Sequence, residues 1–381
     1  MKKTLIAVAA LSAMAASAMA ANVTVSGVVD LGLNFKNVKP IKGDTDRTFT
    51  MNSGQNSGSR VMFKGSEDLG NGVEVGFQLE SGFKADDGTL GATNNIFQRE
   101  SRLYVKTAFG TLHAGRFGVM DAGTGSLSIF GGSDLCAFGT GLGDTIGKES
   151  TILEGLSSRL DNTIAYQSPT FAGMTLYLAH SFKGDNADKY DGTEGRPSAT
   201  QYNGVGLKYV NGPFNAALVA SQKNYRNEVS NVKNSKAFSF GAGYNFGVCK
   251  VMAEGQYFNM GRVAKGTSTF DTTLKETKTY VADPKNKGWG TIVSVTAPVA
   301  GGMVLASVGY KDAKNIDNTD LKNKVWNAGL EYTYSFSKRT MFYVGAGYTE
   351  NKTEGYTGDD AAKKNGKIKT TEVVTGLVHK F

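Results

Sequence analysis

Charged side chains at alternating positions are the chemistry this sequence offers. Arg60 and Lys64 share one face of a short segment with Met62, opposite Val61 and Phe63. Arg102 stands opposite Leu103 and Val105 in the same rhythm. Arg116 and Arg159 flank a long stretch that holds Asp121, Asp134, Asp144, Glu149 and Glu154 against a single cation, Lys148. A basic row and an acidic segment set up an electric field across whatever gap separates them. Covalent chemistry lacks its parts. His113, His180 and His379 are scattered and have no motif linking them to a nucleophile. Cys136 and Cys249 are not at the close Cys/His spacing of a zinc site. No metal or other cofactor is therefore expected. An oxidising compartment would permit a Cys136–Cys249 bridge, but their proximity is not legible in the sequence.

The elements that must position these charges are strands. From Asn22 onward the dominant period is two. In Val73-Glu74-Val75-Gly76-Phe77-Gln78-Leu79-Glu80 apolar and polar residues alternate. Trp326, Ala328, Leu330, Tyr332, Tyr334 and Phe336 make one face of a later segment, and Asn327, Gly329, Glu331, Thr333 and Ser335 the other. Successive strand side chains point to opposite faces, so each segment has one apolar and one polar side. Sixteen such segments can be counted, most of about 10 residues, the length of a tilted strand that crosses a bilayer. Tight connections such as Leu69–Gly72, Phe109–Thr111 and Asn211–Pro213 alternate with long polar ones: Lys39 to Gly58, Gly118 to Ser158, Gly184 to Thr200, Asn259 to Lys287 and Asn351 to Lys367. Short turns on one rim and long loops on the other characterise an outer-membrane barrel. A soluble sandwich has no reason to alternate them so regularly. Phe109, Phe246, Tyr257, Phe336, Phe342 and Phe381 recur near strand ends, where aromatic girdles form.

The first residues read as an address. Lys2 and Lys3 precede an Ala-rich apolar stretch, and Ala18-Met19-Ala20 offers small residues for cleavage. Residues 1–20 are expected to be a secretory signal peptide and residues 21–381 one barrel domain. The formal charge of +8 then falls to +6, since the signal carries two lysines and no acid. Basic and acidic residues are interspersed, which argues against nucleic acid as a partner. Mean hydropathy is −0.26. That value does not exclude a membrane barrel, because only alternate residues meet lipid. The 49 glycines in 381 residues suit many tight turns and closely approaching backbones.

Three stretches carry a family resemblance. Ser59-Arg60-Val61-Met62-Phe63-Lys64-Gly65-Ser66-Glu67-Asp68-Leu69-Gly70-Asn71-Gly72 is similar to the second strand and first turn of general diffusion porins. Arg102-Leu103-Tyr104-Val105-Lys106 through Phe109-Gly110-Thr111 to Gly115-Arg116 resembles the hairpin before their third loop. Asp161-Asn162-Thr163-Ile164-Ala165-Tyr166-Gln167-Ser168-Pro169 and Phe171-Ala172-Gly173 resemble the hairpin after it, and Phe381 matches their aromatic last residue. The resemblance implies an all-β, transmembrane, antiparallel 16-stranded barrel of the Gram-negative outer membrane. It implies a homotrimer surrounded by outer-membrane lipid and lipopolysaccharide. It also implies a third loop folded inward to narrow a water-filled passage for ions and small hydrophilic solutes.

On that pattern Arg60, Lys64, Arg102, Arg116 and Arg159 would form a basic wall, faced by Asp121, Asp134, Asp144 and Glu149 on the third loop. The sequence departs from the family here. Many members carry Pro-Glu-Phe-Gly-Gly-Asp, whereas this chain reads Ser128-Ile129-Phe130-Gly131-Gly132-Ser133-Asp134, with isoleucine at the glutamate position. The expected pore is less cation-selective than one with that glutamate and open to a mild anion preference. Two alternatives stay open: a substrate-specific channel, and an adhesin or receptor built on the same barrel.

Overall fold

The computed structural model describes residues 22–92, 95–121, 124–130, 152–154, 159–184, 193–225, 234–261, 285–358 and 361–381. The first half of the barrel comprises β1 (Asn22–Lys39), β2 (Asp46–Ser53), β3 (Arg60–Gly70), β4 (Val73–Gly82), β5 (Glu100–Thr107), β6 (Gly110–Phe117), β7 (Leu160–Gln167) and β8 (Met174–Ser181). The second half comprises β9 (Gln201–Asn211), β10 (Phe214–Asn224), β11 (Ser235–Asn245), β12 (Lys250–Met260), β13 (Asn286–Val299), β14 (Gly302–Asn315), β15 (Lys322–Ser335), β16 (Thr340–Glu354) and β17 (Gly366–Lys380), with one short helix, α1 (Ala361–Lys364), before the last strand.

Seventeen strand segments make sixteen staves. β2 and β3 run in the same direction and pair with successive lengths of β1: Val38↔Asp46 to Leu31↔Ser53, then Val28↔Arg60 to Asn22↔Ser66. They are the two halves of one stave, interrupted between Ser53 and Arg60. Every other neighbour in sequence is an antiparallel neighbour in space, and β1 pairs with β17 from Val28↔Lys380 to Lys39↔Lys369. That last pairing closes the sheet. Two backbone hydrogen bonds complete the seam, Gly27 N to Phe381 O at 2.9 Å and Phe381 N to Gly27 O at 3.1 Å. Closure removes sheet edges, which a backbone in lipid requires. Among the described residues no helix is long and apolar enough to cross a membrane. The crossing is made by strands.

The polarity is inverted relative to a soluble protein. Leu103, Leu112, Ile164, Leu178, Val205, Leu218, Phe240 and Leu330 are exposed on the outer face. Asp30, Glu80, Glu100, Glu254, Lys311 and Glu372 are buried on the inner one. Of the six aromatics marked in the sequence, Phe109, Phe246, Tyr257, Phe336 and Phe381 are exposed, and Phe342 is partly covered. Trp289 and Trp326 join them near the long-loop rim, packed on Tyr310 and Tyr348 at 5.5 and 4.9 Å between centroids. Aromatics at both ends of the strands fit the two bilayer interfaces.

Two connections differ from expectation. Lys39 to Gly58 is not one polar loop, because β2 lies inside it and extends the first hairpin. Both faces of that extension are largely exposed, so its composition resembles a loop while its backbone is paired. The last long connection is shorter than Asn351 to Lys367, since β16 continues to Glu354 and α1 fills part of the remainder.

Candidate functional site

The lumen is shaped by what folds into it. After β6 the chain turns inward, and Val119, Met120, Leu127, Ile129 and Phe130 join one buried cluster with Tyr202, Ala217, Val219, Ala237 and Phe258 of the inner wall. Small residues on the wall make room. A Cβ on Gly206 would lie 2.6 Å from Ile129 Cδ1 and 2.8 Å from Met120 Sδ. Burying side chains of this size contributes roughly 1.5–3 kcal/mol each, enough to hold a loop across a pore. The far part of the same loop is latched differently. Glu154 accepts a bond from Lys311 Nζ at 3.3 Å and from Asn286 Nδ2 at 3.4 Å, and its backbone N–H donates to Gln256 Oε1 at 2.7 Å. Lys311 is fully buried. The described parts of the third loop are thus folded inward and pinned along the inner faces of β9 to β14.

Among the described residues the open sector lies over β3, β4 and β5. A cavity of about 650 Å³ there is lined, among the described residues, by five cations, Arg60, Lys64, Arg99, Arg102 and Arg159, and by two acids, Glu80 and Glu100. A second cavity, toward the short-turn rim, shares Lys64, Gln78 and Arg102 with the first. Both acids are engaged. Glu80 is paired with Arg99 and lies 3.6 Å from Arg60 Nε, and Glu100 Oε2 lies 3.2 Å from Arg102 Nε. Glu100 also takes the backbone N–H of Ser126 at 2.8 Å and the Ser126 hydroxyl, tying the third loop to the basic wall. Arg102 Nη2 donates to Gln78 Oε1 at 3.0 Å, and Nη1 is 2.7 Å from His113 Nδ1. A guanidinium only donates, so Nδ1 accepts and His113 is the neutral Nε2–H tautomer. Arg159 loses part of its basicity to burial, falling to about 10, with Arg99 adding repulsion and Glu80 opposing it. It still carries its charge at neutral pH.

Placement of the expected residues is uneven. Arg60, Lys64, Arg102 and Arg159 are brought together in the cavity. Arg116 stands apart: it is opposite Ser101 in register, donates to the Gln98 carbonyl at 2.8 Å and is paired with Asp161. Asp121 does not face the basic row. Its carboxylate accepts the hydroxyls of Tyr202 at 2.7 Å and Ser221 at 2.8 Å, both on the opposite inner wall. Burial raises its pKa above the usual carboxylate range. The apolar residues beside it carry it to that wall. Asp134, Asp144 and Glu149 lie outside the described residues, as does Cys136; Cys249 is a half-buried free thiol. Sequence reasoning missed Arg99, Glu80, Glu100 and the Glu154 latch. Glu80 and Glu100 do share the alternation phase of Gln78 and Arg102, which is the signal that would have found them.

A closed transmembrane barrel with an apolar exterior, a charged lumen and a loop folded across that lumen defines a water-filled membrane channel. The family model of the Gram-negative porin matches residues 7–354, and the chain belongs to that family. An outer membrane porin protein of Bordetella pertussis is 30% identical across 100% of both chains, and outer membrane porin protein 32 of Delftia acidovorans is 29% identical across 99% of this chain and 98% of its own. Among solved structures, the anion-selective porin from Comamonas acidovorans superposes with a TM-score of 0.68 at 24% identity, over 95% of this chain and 100% of its own. A trimer form of OmpT of Vibrio cholerae superposes with a TM-score of 0.61 at 16% identity, over 95% and 100%. At those identities the likeness of the solved structures is one of fold. The protein is an outer-membrane porin.

Proposed function

We propose that this porin is an anion-preferring diffusion channel whose constriction is the wall of Arg60, Lys64, Arg99, Arg102 and Arg159. The observation that carries the reading is the charge of the open sector among the described residues: five cations against two acids, each acid already engaged by an arginine. Charges of one sign along a narrow aqueous path concentrate counter-ions and favour their passage. The isoleucine at the third loop's glutamate position supports the same sign, since Ile129 is a buried anchor and contributes no charge. The anion-selective relative from Comamonas acidovorans is consistent with it. By the same reasoning we infer an assembly of three barrels, as in the trimer form of the Vibrio relative. Residues 1–20 are inferred to direct export and be removed.

The test is the reversal potential of single channels in a potassium chloride gradient. Chloride preference is expected, and replacing Arg102 with glutamine moves the potential toward zero. Cation preference in the wild type would refute the reading.

A further inference from the structure

The interruption of the second stave is a structure in its own right. Ser53 stands opposite Leu31 and Arg60 opposite Val28, so seven steps along this stave match three along β1. Four residues are surplus. They are expelled into the lumen, not outward. At the base, the Ser53 and Ser59 hydroxyls are 2.9 Å apart, and Gly54 N and Ser59 Oγ both donate to the Asp30 carbonyl, at 2.9 and 3.1 Å. At the tip, the backbone N–H groups of Asn56 and Ser57 both donate to Asp30 Oδ2 at 2.7 Å. Tyr343 on β16 donates to the other oxygen of that carboxylate at 2.8 Å, and Asn56 Nδ2 reaches Glu331 on β15 at 2.9 Å. The segment therefore crosses the inner faces of β1, β17 and β16. The wall is shaped to receive it, since a Cβ on Gly32 would lie 2.5 Å from Gln55 Nε2. Asp30 and Tyr343 are wholly buried beneath it.

We propose that residues 54–59 form a second inward constriction element, a shelf that narrows the pore and positions Arg60. Two observations join here. Gly54, Asn56, Ser57 and Gly58 line the same cavity as the basic residues. Arg60 Nη1 donates to the Gly58 carbonyl at 2.7 Å and to Ser57 Oγ at 3.2 Å. The described parts of the third loop cover the wall from β9 to β14, and the shelf covers β1 and β15 to β17. Among the described residues the basic sector over β3 to β5 stays open, so a passing solute is pressed against the arginines. Asp30 acts through the shelf as a positioning residue, because its carboxylate holds both tip N–H groups.

This inference rests on the channel reading, and wild-type conductance tests that reading separately. Removing Gln55–Gly58 leaves two residues opposite Val29 and Asp30, which restores an unbroken stave without changing its phase. In planar bilayers the shortened, folded barrel is expected to conduct more by about half, pass larger neutral saccharides in liposome swelling and lose part of its anion preference. Asp30→Ala should give the same three changes in weaker form, and Asp30→Asn, which keeps an acceptor for the tip, should restore wild-type values. Should the shortened barrel not fold, Asn56→Cys in a Cys136→Ser/Cys249→Ser background supplies the second route. Labelling it with a sulfonatoethyl thiol reagent should lower conductance and anion preference together. Conductance, size limit and ion preference that are all unchanged in folded shelf-deleted or labelled channels would overturn the proposal.

Discussion

Lys311 and Glu154 form an ion pair on the inner wall, with Lys311 fully enclosed. A buried pair contributes little net stability when intact, but breaking one side strands the other charge. Lys311→Met is therefore expected to destabilise the barrel by about 3–5 kcal/mol in urea unfolding from lipid vesicles, and adding Glu154→Gln should recover much of the loss. Asp121 has a different signature. Its folded pKa is raised by burial, which outweighs the two hydroxyl bonds it accepts. Such a group's contribution is full below its unfolded value, near pH 4, and is lost as pH rises through the folded value. Asp121→Asn should flatten that part of the decline in unfolding free energy with rising pH, measured by the same unfolding at a series of pH values. An unchanged slope would mean that Asp121 is not the group responsible.

At the scale of elements, the third loop stays inside because the inner wall of β9 and β11 has glycines where its apolar side chains land. Gly206→Val would set new atoms against Ile129 and Met120, where even a Cβ has only 2.6 Å. A packed contact of this kind cannot absorb extra volume without movement. The expected outcome is a folded barrel whose loop is loosened: noisier open-channel current and a larger conductance. Quiet, wild-type steps would show that the loop is held by Glu154 and Glu100 alone. The element least visible in the sequence was β2. Its apolar phase is only Phe49 and Met51, exposed opposite Phe35 and Leu33 of β1, and two alternating apolar residues inside a long polar stretch are too few to mark a strand.

For the whole molecule the decisive event is closure between β1 and β17. Phe381 exchanges both backbone bonds with Gly27 at the end of that seam. Deleting Phe381 is expected to cost about 1–3 kcal/mol from the two hydrogen bonds, read as a lower unfolding midpoint and a poorer refolding yield into detergent micelles. A midpoint equal to wild type would place the stability of the seam elsewhere along β17.

The sequence alone determined what is local. Period-two alternation reports side-chain direction within one strand, so the sixteen staves, their two faces and the inward phase of Arg60, Lys64 and Arg102 could be read directly. Turn chemistry separated the short rim from the long one. What required the tertiary structure is everything set by contacts between distant segments. Asp121 faces Tyr202 and Ser221 because Met120 and Ile129 dock on Gly204 and Gly206, a match across some eighty residues that no local pattern encodes. Glu80 belongs to the constriction because barrel register brings Arg60 and Arg99 to it. The shelf is inward because Asp30, Glu331 and Tyr343, on three different strands, offer it partners there. Alternation fixes which way a side chain points, whereas packing across the lumen decides what it meets.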